Sequence, residues 1–517
     1  MAITPALFFI DPKAGMTLQH QLRQQIVEAI LDRRFLPGER LPSSRNLAQH
    51  LGISRLTVAT AYADLVAQDY LIARDRAGYF IAENMSAQPE IQPSDQKAGR
   101  ADWTRLIGQK FRNPRGRHRN PDWQNYRFPF TYGQADPRLF NHTAWRQCAL
   151  QALGQRDFNV LTADFYEADD PELVLYITRQ ILPRRGIQAR PEDVLLTMGA
   201  QNALWLAAQV LLNQRRTAII ENPCYPGLRE IVEQTRCHVV PVNVDDRGLP
   251  PDAIPKGADV VFTTASHQCP TNTTMSLERR RALLARAKSE GFAIVEDDYE
   301  FEVSFTNSPS PALKSLDHSD HVIYAGSFSK SLFPGLRLGY LVGPPEFLAE
   351  ARALRGLVLR HPPGHLQRTV AYFLSLGHHD RQMHHVRQVY AERRAVMDAA
   401  IQKYGLTVVG AASGAGGSSY WMRAPQGVDT LRLSQDLLAQ DVVIEPGPDF
   451  FFEPEPYSRH YRLAYSSISS DLIDEGISRI AAAIHAQRST QDKGSPYGAE
   501  IWAEPRDKEV GHEGTDR

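Results

Sequence analysis

A chain of 517 residues has room for roughly three domain-sized units at about 150 residues each. Hydrophobic residues make up 42% and charged residues 23%, enough for a large core, which excludes wholesale disorder, collagen and a disulfide-stapled miniprotein. The 58 Lys+Arg and 59 Asp+Glu leave a net charge of -1, so any preference for nucleic acid or a membrane surface has to be local. Cys148, Cys224, Cys237 and Cys269 are widely spaced with no CxxC pair, which suits a reducing cytosol and offers no zinc site.

The opening MAITPALFFIDPKAG has no basic segment leading into a sustained apolar run, so no secretory signal is expected and the cytoplasm is the expected location. The apolar stretch Leu195 to Leu212 contains Gln201, Asn202 and Gln209 and reads as a buried helix, so no membrane partner is expected. Texture divides the chain into residues 1–84, dense in helical periodicity, 85–123, poor in apolar residues, 124–487, where strands alternate with helices, and 488–517, a polar tail expected to be disordered. Between residues 85 and 120 eight Lys/Arg stand against three acids, a basic linker that is either a solvated spacer or a further contact to DNA phosphates.

In the first region Leu22, Ile26, Ile30 and Leu31 recur at helical spacing over Leu18 to Leu31. After the loop FLPGERLPS, Ser43 or Ser44 caps a helix holding Leu47, Ala48 and Leu51. Gly52 ends it, and Ser54 caps a third helix through Val58, Tyr62 and Leu65. Helix, short glycine turn and capped helix make a helix-turn-helix, and YLIARDRAGYFIA reads as a hairpin wing around Arg74, Arg76 and Gly78. The second helix of such a pair lies in the major groove of double-stranded DNA with its first residues nearest the base edges, here Ser54, Arg55, Thr57 and Thr60. Arg55 can hold guanine bidentately, Thr57 can meet a thymine methyl or a phosphate, and Arg45 can clamp the backbone. With nine basic and eight acidic residues from Met1 to Asn84, the face meeting DNA is a patch. The alternative is a three-helix packing domain with ordinary surface arginines.

The second region repeatedly sets polar groups just after apolar β-runs, where α/β sheets bind ligands. DVLLTMGAQNALWLAAQVLL gives strand, glycine turn and long helix, whose start at Gly199, Ala200 and Gln201 is an anion site. Tyr225 follows one strand, His267 and Gln268 another, Asp297 and Tyr299 a third. In HVIYAGSFSKSLFPGLRLGYLVG a buried strand delivers Lys330, with Ser327 before it and Arg337 after it. A lysine flanked by phosphate binders suggests pyridoxal 5'-phosphate (PLP), which needs an amine for its Schiff base, donors for its phosphate and a carboxylate for its pyridine nitrogen. Lys330, then Ser327, Ser329 and Arg337 with the helix start, then Asp297 supply these. Tyr299 is expected to donate to the ring hydroxyl oxygen, Tyr225 to stack on the ring, and His267 and Gln268 to complete the cofactor site. Taken singly each residue has an ordinary structural use; their joint order is what points to PLP.

Residues 18 to 82, especially LPGERLPSSRNLAQHLGISRLTVATAYADLVAQDYL followed by GYF, resemble the winged-helix domain of the GntR family. The resemblance implies that Arg45 contacts the DNA backbone, that Arg55 and Thr57 belong to the recognition helix and that Gly78 sits at the wing tip, while Ala59 stands where some members carry a second arginine. SFSK followed by PGLRLGY, with EDDYEFE and the SHQCP segment, resembles fold-type-I aminotransferases over roughly residues 125 to 485. Together they resemble the MocR subfamily of transcriptional regulators. The expected fold is therefore multidomain: an α+β winged helix-turn-helix, then an α/β PLP-dependent transferase fold of type I with a smaller α+β subdomain over about 365–487.

The same resemblance implies a homodimer, head-to-tail, and a small amino-group effector that displaces Lys330 from PLP. In HYRLAYSSI, Arg462 matches the arginine that binds a substrate carboxylate, so the effector carries an anionic group as well; γ-aminobutyrate-like, taurine-like and ectoine-derived compounds all qualify. The rival reading is an active PLP-dependent aminotransferase carrying a DNA-binding module, and a weaker one is a repressor that senses PLP itself. The chain departs from its relatives at Asn272 in the expected pocket floor, at Asn141 in place of a frequent proline, and at His385 in place of arginine. His378, His379, His384 and His385 read as helix surface, with no carboxylate or Cys completing a metal site. Gly414, Gly416 and Gly417 precede a strand, so they form a turn and no dinucleotide fingerprint.

Overall fold

The computed structural model describes residues 2–12, 14–83, 101–109, 111, 120–164, 168–303, 311–409 and 417–494. The chain forms two compact units, Met1–Phe111 and Arg112–Arg517, dividing within the expected linker, most of which lies outside the described residues.

In the first unit three helices each open on a side chain that accepts from an amide the helix leaves unpaired. Thr17 accepts from His20 N ahead of α1 (Leu18–Leu31), Ser43 from Asn46 N ahead of α2 (Ser44–Leu51) and Ser54 from Thr57 N ahead of α3 (Arg55–Ala67). Gly52, at φ 67°, ends α2 in the left-handed region, which costs glycine little. The helices close on one core containing Leu22, Ile26, Leu47, Val58, Tyr62 and Leu65, where each fully buried aliphatic or aromatic side chain contributes about 1.5–3 kcal/mol. The Tyr62 hydroxyl donates to Pro42 O at 3.0 Å and so ties α3 to the loop before α2.

The wing is an antiparallel pair, β1 (Leu71–Arg74) and β2 (Gly78–Ile81), with Arg74 opposite Gly78. This corrects the expected tip. Arg76 takes the left-handed turn position at φ 57°, and Gly78 opens β2 beside Arg40, whose Nε would lie 3.5 Å from a Cβ added at 78.

The second unit is built on seven strands: β3 (Val194–Thr197), β4 (Thr217–Asn222), β5 (His238–Asn243), β6 (Val260–Thr263), β7 (Ala293–Asp297), β8 (Val322–Ser327) and β9 (Gly339–Val342). They form one sheet in the order β3-β9-β8-β7-β6-β4-β5. All pairings are parallel except those of β9, which runs antiparallel to β3 and β8. The strands VLLT, VVFT and VIYAGS are buried along their whole length, as a sheet covered on both faces requires. The carboxyl ends of β8, β7, β6 and β4 therefore lie side by side, so residues far apart in sequence converge on one edge.

A smaller antiparallel sheet joins β10 (Thr407–Val408), β11 (Ser419–Arg423), β12 (Glu445–Pro446) and β13 (His460–Ala464) in the order β10-β11-β13-β12. It shares a core with α4 (His378–Lys403) and α5 (Ser470–Gly494), including Met397, Ile401, Leu463, Ile477 and Ile480. Three boundaries differ from expectation. Phe128 and Phe130 belong to the core under this antiparallel sheet, because Phe128–Pro129 pairs in parallel with Val442–Val443. The helix Gly364–Ser375, expected in the small subdomain, buries Val370, Phe373 and Leu374 in a core of the seven-stranded sheet. Helix α5 runs past residue 488 to Gly494, so the first residues of the expected tail are helical; residues from 495 onward lie outside the described residues. Among the described residues no helix is long and apolar enough to cross a membrane.

Candidate functional site

On the first unit Arg45, Ser54, Arg55 and Arg76 are exposed, and Thr57 and Thr60 are half-buried. The Ser54 and Thr57 hydroxyls pair at 2.9 Å, and Thr60 Oγ1 donates to Leu56 O at 2.9 Å. These hydroxyls thus serve the first turns of α3, leaving the arginines as the outward donors. Sequence reasoning passed over Leu56, which is 75% exposed in the first turn of α3.

The second unit encloses a cavity of about 260 Å³ at the carboxyl edge of its large sheet. Lys330, Asp297, Tyr299, Ser327, Ser329, Arg337, Ala200, Gln201, Tyr225 and Arg462 all line it. Alternation along a strand explains the EDDY segment. Asp297 ends β7 facing the cavity, whereas Asp298 turns into the core, where it accepts from Arg185 at 2.7 Å and from the Tyr324 hydroxyl at 2.9 Å. Burial, reinforced by the charges of Asp298 and Glu221 and opposed by Lys330, pushes the Asp297 carboxyl up to about 7. Its Oδ1 is buried without a hydrogen-bond partner.

The anion end is built on Gly199, at φ 81° and ψ 174°, which starts helix Ala200–Leu211. A Cβ there would lie 3.4 Å from the Arg337 guanidinium, so glycine lets that guanidinium lie against the helix start, where Nη2 donates to Met198 O at 3.3 Å. Ser327 Oγ accepts from Ser329 N at 3.2 Å, closing the loop before Lys330. Helix amides, a guanidinium and two serines are the donor set a phosphate monoester needs. Together with the lysine and the carboxylate oxygen lacking a partner, they fit PLP.

Two expected cofactor residues, His267 and Gln268, do not line the cavity. The side chain of Gln268 is taken up inside: Nε2 donates to Pro223 O at 2.7 Å and to Glu221 Oε2 at 3.2 Å, and Glu221, whose pKa burial raises, also accepts from Thr263 and Thr264. His267 is buried, and its carbonyl accepts from the Tyr299 hydroxyl at 2.9 Å, so that hydroxyl is engaged with backbone, in contrast to its expected role. Asn272, expected in the pocket floor, sits instead at φ 58° with Nδ2 bonded to Ser419 O, joining the large sheet's loop to β11. Asn141 caps the helix His142–Ala152 through Ala144 N. His379 does have carboxylates beside it, Glu302 and Asp380 each at 3.7 Å, although among the described residues no group of three His, Cys, Asp or Glu is placed to hold a metal.

Sequence reasoning also passed over the segment Tyr132–Gly133–Gln134, which forms a wall of the cavity. The Tyr132 ring has two cations close to it, Lys330 Nζ at 4.2 Å and Arg462 Cζ at 4.0 Å from its centre. The only local signal is a glycine after an aromatic, and Gly133 does take φ 80°. Arg462 is buried and its Nε donates to Glu445 Oε2 at 2.7 Å. Burial alone would lower its pKa, but the Glu445 carboxylate, with Cys269 and Tyr132 adding to it, more than offsets this and holds it above the ordinary arginine range. Cys269, whose thiol burial pushes up to about 11, lies 3.8 Å from Arg462 Nη1.

Comparison with known proteins agrees with both units. Residues 18–81 match the bacterial regulatory proteins of the gntR family, and residues 137–480 match aminotransferase class I and II. The chain is 55% identical over 484 residues to the HTH-type transcriptional regulator TauR of Rhodobacter capsulatus, covering 94% of this chain and all of that protein. It is 28% identical over 488 residues to the probable rhizopine catabolism regulatory protein MocR of Rhizobium meliloti, covering 94% and 97%. Among solved structures the α-aminoadipate aminotransferase LysN of Thermus thermophilus superposes with a TM-score of 0.67 at 26% identity, over 75% of this chain and all of that one. A kynurenine aminotransferase of Pyrococcus horikoshii shares the fold, with a TM-score of 0.65 at 24% identity, over 71% and 92%. With a helix-turn-helix unit in front of an aminotransferase fold, the chain belongs to the MocR subfamily of gntR-family transcriptional regulators.

Proposed function

We propose that this DNA-binding regulator holds PLP on Lys330 and answers to a small effector bearing an amine at one end and a carboxylate or sulfonate at the other. The observation that carries this is one cavity uniting Lys330, Asp297, the Arg337 anion site and Arg462. Bound PLP supplies an electrophilic carbon that exchanges one amine for another. The chain's own residues do the rest. Asp297 holds a proton toward the ring nitrogen, Ser327, Ser329 and Arg337 orient the phosphate with the amides of Ala200 and Gln201, and Tyr225 covers the ring.

Arg462 holds the effector's anion with the guanidinium edge that Glu445 leaves open. Because Lys330 Nζ and Arg462 Cζ each lie about 4 Å from the Tyr132 ring centre, they stand at most about 8 Å apart. That span suits a short spacer between amine and anion. In the first unit Arg55 and Leu56 read bases, Leu56 against a thymine methyl, while Arg45 and Arg76 hold phosphates. A head-to-tail homodimer supplies two such readers.

The test is a visible absorbance spectrum of the purified protein with PLP. The reading predicts a band that Lys330→Ala abolishes and that 2-aminoethanesulfonate or 4-aminobutanoate shifts. A spectrum identical in wild type and Lys330→Ala would reject it.

A further inference from the structure

A second, much smaller cavity adjoins the first and shares Gly133, Gln134, Ser329 and Lys330 with it. It measures about 10 Å³, room for a single water-sized group. Glu300 also lines it, and the residue is 1% exposed. Glu300 Oε1 is fixed by Ser418, which donates from its amide at 3.0 Å and from its hydroxyl. Oε2 is buried without a hydrogen-bond partner. A buried carboxylate with one oxygen unmatched is costly unless a cation or donor comes to it in another state. Lys330 is the cation that borders both cavities, and Gly133, which also lines both, leaves room for its Nζ, since a Cβ at 133 would overlap that atom.

We propose that this cavity is the docking site for the Lys330 ammonium after an incoming amine has displaced it from PLP, with Glu300 Oε2 as its counter-charge. The inference rests on the reading of Lys330 as the PLP-bound lysine and deepens it. When a primary amine takes over the C=N bond, its two amine protons pass to Nζ as the bond from Nζ to the cofactor carbon breaks. No electrons are gained or lost, and one more proton from solvent makes Nζ an ammonium. That group has to leave the space the effector enters, and the water-sized cavity beside it carries the matching charge. Glu300 thereby becomes a positioning residue for exchange, drawing the displaced lysine away.

Methoxyamine tests this, because it takes over such a C=N bond however a natural effector is recognised. In the full-length protein loaded with PLP, Glu300→Gln should lose the Lys330-dependent visible band to methoxyamine at least tenfold more slowly than wild type, the scale of one charge-assisted hydrogen bond. Glu300→Asp, which keeps the charge, should recover most of the rate. A crystal structure of wild type reacted with methoxyamine should place Nζ within hydrogen-bond distance of Glu300 Oε2, and this holds the test open if the variants do not fold. A band lost at equal rates in wild type and Glu300→Gln, or Nζ lying elsewhere in the reacted structure, would overturn the docking site alone. No Lys330-dependent band in wild type would overturn the reading beneath it as well.

Discussion

Replacing Arg462 with methionine keeps much of the side-chain volume and removes the cation. What it leaves behind is Glu445, whose side chain is only 10% exposed and whose Oε2 loses its 2.7 Å donor. Stripping the partner from a buried ion pair costs about 3–5 kcal/mol, a large share of the roughly 5–15 kcal/mol that holds a typical domain folded. Urea unfolding followed by far-ultraviolet circular dichroism should therefore show a midpoint lower by about 1 M or more, at a slope of about 3 kcal/mol per M. The double variant Arg462→Met/Glu445→Leu removes both charges and should recover most of that loss, because an apolar pair avoids the desolvation cost. Both variants should fail to respond to anionic amines, which separates recognition from folding. A single variant within about 1 kcal/mol of wild type, or a double variant no more stable than the single, would refute a desolvated pair.

Arg55→Ala should weaken operator binding by about 1–3 kcal/mol if Arg55 reads a base bidentately; an unchanged preference for operator over random DNA in a gel-shift competition would reject that role. Gly199→Ala puts a Cβ on a residue at φ 81° and ψ 174°, a region open essentially to glycine alone, and should cost about 1–3 kcal/mol with weaker PLP retention; a wild-type melting temperature would contradict it. For the cofactor-free protein, the Asp297 carboxyl at about 7 keeps a proton that the unfolded chain, at about 3.9, has already released. Its stabilising contribution is full below pH about 4 and is lost as pH rises through about 7. Melting temperatures between those limits should fall less steeply with pH in Asp297→Asn than in wild type, the similarly raised Glu296 remaining in both; parallel slopes would reject it.

Local chemistry was the legible part of this chain. Thr, Ser and Gly at helix ends and apolar runs at strand period mark elements without reference to the rest of the fold, and Asp297, Ser327 and Lys330 follow because strand ends are where an α/β sheet exposes side chains. What stayed hidden depends on distant partners. Gln268 follows a strand like the others, but Glu221 on the neighbouring strand needs buried donors and takes its amide. Tyr132 comes from a segment whose two-residue strand pairs with Val442–Val443, and no periodicity in so short a run announces where it will lie. Glu445 sits beside Arg462 because β12 pairs with β13, a register that two residues of sequence do not disclose.

Amine exchange at Lys330 should change how the protein meets DNA. Fluorescence anisotropy of a labelled promoter fragment, titrated with the PLP-loaded protein with and without 2-aminoethanesulfonate or 4-aminobutanoate, tests it most directly. At least one of these amines should shift the binding curve for wild type, and neither should do so for Lys330→Ala. A shift that persists in Lys330→Ala, or curves that coincide in wild type while the visible band moves, would contradict it.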